Sequence, residues 1–320
     1  MKKSIYGVLF TFFGLLVSAR GTSTNEGPAS LSNVDIKWSV PTNRLPEMLW
    51  IYKVVPQNFS EAVISNLMAV ASFTMKDRKP GIPDQPPFKD KSILYFENQD
   101  GSKHLGIFPN LGWIDYNDSA ASAGATNAVK SVPSEDETMR LALKYFTMFG
   151  IDSSQLSIKP ETGELRVFRS LDRRYSYNET TGKGPEEITL RGLSIPRRID
   201  RIDIGGIGAY GGVNISFGNE GKIFYMSLVW RNLKPYQLHR VISPEEIISL
   251  LKSNRIALPP VVGGDLTRVK EITITNLTPI YDGKTGDEFE DVVSPFVRAD
   301  AVANLGHTNV QFQFICPAVK

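Results

Sequence analysis

The sequence predicts an α+β protein of two or three modules, each a helix packed on a mainly antiparallel β-sheet. Three observations carry that expectation. The stretch from Val213 to Asn254 reads as strand, tight turn, strand and then helix. Helix-start signals recur near residues 60, 134 and 243, each followed by strand-like segments. Their unequal spacing excludes a solenoid repeat and leaves modules that differ in their insertions.

The N-terminus sets the expected compartment. Lys2 and Lys3 precede an apolar run from Ile5 to Val17, and Val17-Ser18-Ala19 offers small residues for cleavage. That is the pattern of a secretory signal peptide cut after Ala19, which makes the mature chain secreted or periplasmic. The run is too short to span a bilayer, and no later stretch reaches that length, so no stable membrane span is expected after cleavage. Residues 20–33 are rich in Gly, Ser, Thr and Asn and read as a flexible leader.

The first module is expected over 34–118. Leu49 to Val55 is β-branched and aromatic, hence a strand. Val63, Ile64, Leu67, Met68 and Ala71 then recur at helical spacing. Lys76 to Lys91 holds five prolines and reads as an exposed loop. Ile93–Glu97, Leu105–Phe108 and Leu111–Tyr116 form a meander. Residues 119–133, rich in small side chains, read as a linker.

The second module is expected over 134–242. Ser134-Glu135-Asp136-Glu137 is a capping box, and Met139, Ala142, Leu143, Phe146 and Phe149 give the helix an apolar stripe ending at Gly150. Strands are expected around 156–158, 164–169, 188–190 and 202–204. Then comes the central hairpin, with Val213, Ile215 and Phe217 on one face of the first strand. Gly218-Asn219-Glu220-Gly221 supplies the turn, and Ile223 to Trp230, apolar on both faces, is a mid-sheet strand. Arg231 to Ile242 reads as a polar connection. The segment 243–320, expected to pack with the second module, opens at Ser243-Pro244-Glu245-Glu246, another helix start. Its helix is expected to cover Phe224 and Trp230. Strands are expected at 270–275, 296–303 and 309–316.

Composition and motifs exclude several kinds of chemistry. A net charge of +2 over 320 residues lacks the basic bias of a dedicated nucleic-acid binder. The single cysteine, Cys316, excludes a disulfide framework and a cysteine zinc cluster. His104, His239 and His307 fall in no ligand spacing, and no GxSxG elbow is present. The glycine-rich run from Gly205 to Gly212 lacks the Lys-Ser/Thr of a P-loop and precedes a strand. The acidic stretch with Asp282, Asp287, Glu288, Glu290 and Asp291 lacks EF-hand spacing. No catalytic residue, cofactor or metal is therefore assigned. Sequons stand at Asn58, Asn117, Asn178, Asn214 and Asn276.

A resemblance adds to this reading. Leu45-Pro46-Glu47-Met48 with Tyr52-Lys53-Val54-Val55 precedes the first helix, and Asn219-Glu220-Gly221-Lys222-Ile223 forms the central turn. Trp230-Arg231 follows that hairpin, Ser243-Pro244-Glu245-Glu246 opens the third helix, and Val293-Ser294-Pro295-Phe296-Val297 closes the series. This layout, covering most of residues 45 to 300, resembles bacterial extracytoplasmic proteins with PepSY-like modules and regulators of the YycH and YycI type. The resemblance implies binding, inhibition or regulation outside the cytoplasm. The main departure is an Arg-rich insertion around 166–201. Its Arg166, Arg169, Arg173, Arg174, Tyr175, Tyr177, Arg197 and Arg198 are the candidate contacts for a protein, peptide or anionic polymer. The expected function is a non-catalytic binding or regulatory protein. The alternative is a secreted hydrolase of polymers using a pair of carboxylates.

Overall fold

The computed structural model describes residues 31–40, 45–80, 92–122, 131–175, 186–205, 212–263, 266–283 and 290–319. The signal peptide, residues 123–130 of the expected linker, Tyr177, Asn178 and residues 206–211 of the glycine run lie outside the described residues.

In chain order the strands are β1 (Asp35–Trp38), β2 (Met48–Val55), β3 (Arg78–Lys79), β4 (Leu94–Glu97), β5 (Lys103–Phe108), β6 (Trp113–Asp118), β7 (Phe168–Tyr175) and β8 (Glu186–Ile199). They continue as β9 (Ile202–Ile204), β10 (Gly212–Phe217), β11 (Ile223–Val229), β12 (Asn232–Arg240), β13 (Glu271–Asp282), β14 (Val292–Asn304) and β15 (Asn309–Pro317). The helices are α1 (Glu61–Ala71), α2 (Glu135–Met148), α3 (Pro244–Lys252) and the single turn α4 (Pro260–Gly263).

The expectation of repeated helix-on-sheet modules is overturned. Among the described residues fifteen strands join in one mixed order, β12-β2-β14-β13-β9-β8-β10-β11-β6-β5-β4-β3, with β1 on β13, β15 on β14 and β7 on β8. Most pairs are antiparallel; β1–β13 and β13–β9 are parallel. The chain forms two compact units. One holds the described residues up to Val40 with Pro244–Asn276 and Ala299–Phe314. The other holds Pro41–Ser243, Leu277–Arg298 and Ile315–Lys320.

The larger unit explains why modules are absent. Its antiparallel ladder runs β7-β8-β10-β11-β6-β5-β4-β3. α1 and α2 share one hydrophobic core on it, with Leu67, Ala71, Ala142 and Phe146 packed among Phe96, Ile107, Ile114, Ile215, Phe217 and Leu228. Tyr145 stacks on Phe217 at 6.0 Å, and the Asn66 amide donates to the Met148 carbonyl at 2.9 Å, tying α1 to the end of α2. Both helices begin where the sequence places them. Ser60 Oγ accepts from Val63 N–H and Ser134 Oγ from Glu137 N–H.

The expected linker begins as packed backbone. Ala121 is buried, and a Cβ on Gly218 would stand 1.9 Å from its carbonyl oxygen. The small residues there answer a close approach of two chain segments. In the central turn, Gly221 takes the expected left-handed conformation (φ 69°) and Glu220 shares it (φ 58°).

The Arg-rich insertion is also reassigned. Leu190, Leu193 and Ile195 of β8 are buried, so half of that insertion is a mid-sheet strand. In the smaller unit, α3 packs on the N-terminal turn Leu31–Asn33, and its Ile247 and Leu251 are buried. The expectation that this helix covers Trp230 and Phe224 is corrected: Trp230 is buried in the core beneath α1 and α2, and Phe224 stays half-buried. Among the described residues no helix is long and apolar enough to cross a membrane.

Candidate functional site

The part of the larger unit least consumed by its own fold is the ribbon of β2 and β12. β12 pairs antiparallel with β2 from Asn232 opposite Val55 to Arg240 opposite Met48, and its register shifts between Pro235 and Gln237. Tyr236 stands in that irregularity. Proline lacks an N–H and is tolerated only at a sheet edge or a bulge, so Pro235 fits here on both counts. β12 ends the strand order, leaving its outer backbone edge without a neighbouring strand among the described residues.

Both ends of β12 are anchored. At its start, Trp230 N–H donates to the Gly112 carbonyl at 2.6 Å, and the buried Arg231 guanidinium pairs with Glu290. The Arg197 guanidinium lies 4.6 Å over the Trp230 ring. It donates to the Arg231 carbonyl and to Gln155 Oε1, and burial lowers its pKa to about 10. At its end, Val241 N–H donates to the Glu47 carbonyl and Ile242 N–H to that of Ala318.

The register sorts the ribbon's side chains. One face carries Met48, Trp50, Tyr52, Val54, Leu233, Pro235, Leu238 and Arg240; the other carries Leu49, Ile51, Lys53, Val55, Asn232, Lys234, Gln237 and His239. Met48, Tyr236 and Leu238 are 43%, 54% and 46% exposed, and Val292, opposite Lys53 on β14, is 39% exposed. These are four of the eight large exposed hydrophobics among the described residues. Met48 and Leu238 share one face of the ribbon, and Val292 lies on the face of Lys53. On that face Lys53 and Lys234 stand directly opposite each other, a like-charge pair that costs stability. Among the described residues neither lysine, nor Arg240, makes an ion pair.

The candidate contacts drawn from the sequence are spread out and largely engaged. Arg166 pairs with Asp203 at 2.6 Å, Arg169 with Glu135 at 3.7 Å and Arg174 with Glu187 at 2.8 Å. Arg173 lies beside Arg174 on β7 and also has an interaction partner. Arg198 Nε donates to the Ser154 carbonyl at 3.3 Å. Tyr175 is the last residue of β7. Arg197 is only 5% exposed and faces the core, so it forms no part of an exposed contact surface.

Other places offer less. A cleft of about 190 Å³ lies at the start of α1, lined by Gln57, Asn58, Ser60, Val63, Phe149 and Trp230 among others. It has no carboxylate in its lining, so hydrolysis by a carboxylate pair has no site there. On the helix-free face of the ladder, His104 Nε2 meets Asp115 Oδ2 at 2.9 Å and the ring stacks on Tyr95. Among the described residues Asp115 is the only hydrogen-bond partner of the His104 ring, so no hydroxyl or thiol is bonded to it there. Asn214 lies on that same half-open face, opposite Ser194 and Ser227. Among the described residues no three His, Cys, Asp or Glu side chains gather as metal ligands. Cys316 is fully buried and its thiol is pushed up to about 12 by desolvation.

Sequence reasoning misses the ribbon because Arg231 to Ile242 reads as a polar connection. The signal that could have found it is Leu233, Tyr236 and Leu238 interleaved with Lys234 and Arg240 around a proline, which is how an edge strand reads.

Comparisons with known proteins add little. No family model matches the chain, and no curated protein does. Among solved structures it is similar to the crystal structure of an uncharacterized protein from Eubacterium rectale ATCC 33656, with a TM-score of 0.43 and 11% identity over 89% of this chain and 87% of that one.

Proposed function

We propose that this is a non-catalytic binding protein that works outside the cytoplasm and takes its partner along the β12 edge. The observation that carries the reading is the coincidence, on one ribbon, of an open strand edge with Met48, Tyr236 and Leu238 all exposed. An open edge invites pairing with another chain, and folded proteins ordinarily blunt such edges. β3, at the far end of the strand order, is blunt: two residues long, and both of them cationic. The export half of the proposal rests on Lys2, Lys3 and the apolar run from Ile5 to Val17.

Site-specific photocrosslinking in the native cell tests the proposal. Benzoylphenylalanine replaces Tyr236 or Leu238 in one pair of strains and Arg173 in another. The expected result is one crosslinked partner from positions 236 and 238 in the exported fraction. Crosslinks from position 173 alone would move the contact surface to β7, within the Arg-rich stretch that the sequence points to. Crosslinks from none of the three would overturn the binding role of both edges.

A further inference from the structure

We infer that the partner of β12 is an extended acidic segment of another protein, which joins the sheet as an added strand. Its acidic side chains would meet the Lys53–Lys234 face and its apolar ones the Trp50–Leu238 face. The inference rests on the proposed function and names the chemistry of its partner.

Three observations lead there. The outer edge of β12 has no neighbouring strand among the described residues, and a strand laid beside it satisfies backbone groups as well as side chains. The exposed side chains of the ribbon differ between its faces: Met48 and Leu238, with half-buried Trp50 and with Arg240 at the end, on one side, and Lys53 and Lys234, flanking the buried Leu49 and half-buried Ile51, on the other. Successive residues of an added strand point to opposite faces, so the matching segment alternates acidic and apolar residues. Finally, Lys53 and Lys234 repel each other directly and have no ion-pair partner among the described residues. A carboxylate beside them converts that repulsion into attraction.

The same geometry argues against two other occupants. An anionic bilayer is flat and meets only one face of the ribbon, while Lys53 and Lys234 stand on the face opposite Met48 and Leu238. A second copy of β12 paired antiparallel would bring Lys234, His239 and Arg240 against their own kind, which is how charged edges resist self-pairing.

The test uses the full chain and a fluorescein-labelled decapeptide alternating Glu and Val, read by anisotropy. A peptide of the same pattern with Lys for Glu is the charge control. The Glu–Val peptide N-methylated at alternate backbone nitrogens is the strand control. The expected result is that the Glu–Val peptide binds roughly tenfold tighter than either control, since each cross-strand charge pair contributes modestly. In Lys53→Glu/Lys234→Glu, checked for an unchanged melting curve, the preference should invert toward the Lys–Val peptide. Equal binding of the two unmethylated peptides, or an unchanged preference in the double variant, overturns the acidic-strand inference. If crosslinking at Tyr236 and Leu238 still captures a partner, the proposed function survives that failure; if it does not, both fall. Binding to phosphatidylglycerol vesicles with no binding of either peptide would assign the edge to a membrane surface instead. Concentration-dependent dimers abolished by Leu238→Ser would assign it to a second copy. Either result overturns the inference.

Discussion

β7 and β12 are both edge strands of the larger unit, both carry cations, and they have opposite electrostatics. On β7, Arg174 stands opposite Glu187 and pairs with it, and Arg169 reaches Glu135. On β12, Lys234 stands opposite Lys53 and neither finds a carboxylate among the described residues. The hydrophobics differ too: Phe168 is the exposed one on β7, whereas β12 exposes both Tyr236 and Leu238. A count of arginines and lysines does not separate a blunted edge from an available one. What separates them is which partner the register places across each cation.

The largest expected effect tests what both edges depend on. Trp230 roots β12 in the core and carries the Arg197 guanidinium of β8, the strand that also bears β7. Trp230→Ala should cost about 3–5 kcal/mol, as buried aromatic truncations do, read as a lowered urea midpoint. An unchanged midpoint would mean that neither edge is anchored there.

Next is the bond that links the two ribbons. The Tyr52 hydroxyl of β2 donates to the Asp200 carboxylate in the β8–β9 turn, where Asp200 and Arg201 both hold left-handed backbone (φ 49° and 67°). Tyr52→Phe should lower stability by about 1 kcal/mol, the net worth of one hydrogen bond. Burial first, and the bond to Asp200 second, push the Tyr52 phenol above its ordinary range. The unfolded chain therefore loses that proton at lower pH than the folded one. The contribution is complete below about pH 10 and is lost as pH rises beyond it. Urea titrations at pH 8 to 11 should show a shallower alkaline decline in Tyr52→Phe. Parallel curves for the two proteins would refute the assignment.

Charge reversal then sharpens the contrast between the edges by its sign. Arg174→Glu sets a carboxylate against Glu187 and should destabilise by about 0.2–1 kcal/mol. Lys234→Glu sets one against Lys53 and should stabilise by a similar amount. The same sign for both substitutions would erase the distinction. The smallest effect is expected at Leu238→Ser, within about 0.5 kcal/mol because the side chain is exposed. Binding at the β12 edge should nevertheless be lost, which separates a contact residue from a structural one.

Much of the local structure was legible in the sequence. Ser60 and Ser134 cap helices because a hydroxyl before an apolar-periodic run satisfies an otherwise unpaired N–H. The hairpin of β10 and β11 follows from Val213, Ile215 and Phe217 alternating up to a turn with Gly221 at positive φ. These features depend on neighbours a few residues away, so the chain itself fixes them. The buried Cys316 within an alternating strand was legible for the same reason.

Only the tertiary structure decided which strands meet. Nothing between Met48 and Arg240 announces that β2 pairs with β12, because backbone hydrogen bonds are the same whichever strand supplies them. The helix at Ser134 reads as the start of a new module because small residues precede it, yet Ala121 packs on Gly218 and α2 shares its core with α1. Arg197 reads in sequence like its neighbour Arg198; one is stacked on Trp230 in the core and the other lies at the surface, since alternate residues of a strand face opposite ways. Local propensity determined the elements of this protein. Long-range pairing, which no short stretch encodes, determined the sheet they share and the edge it leaves open.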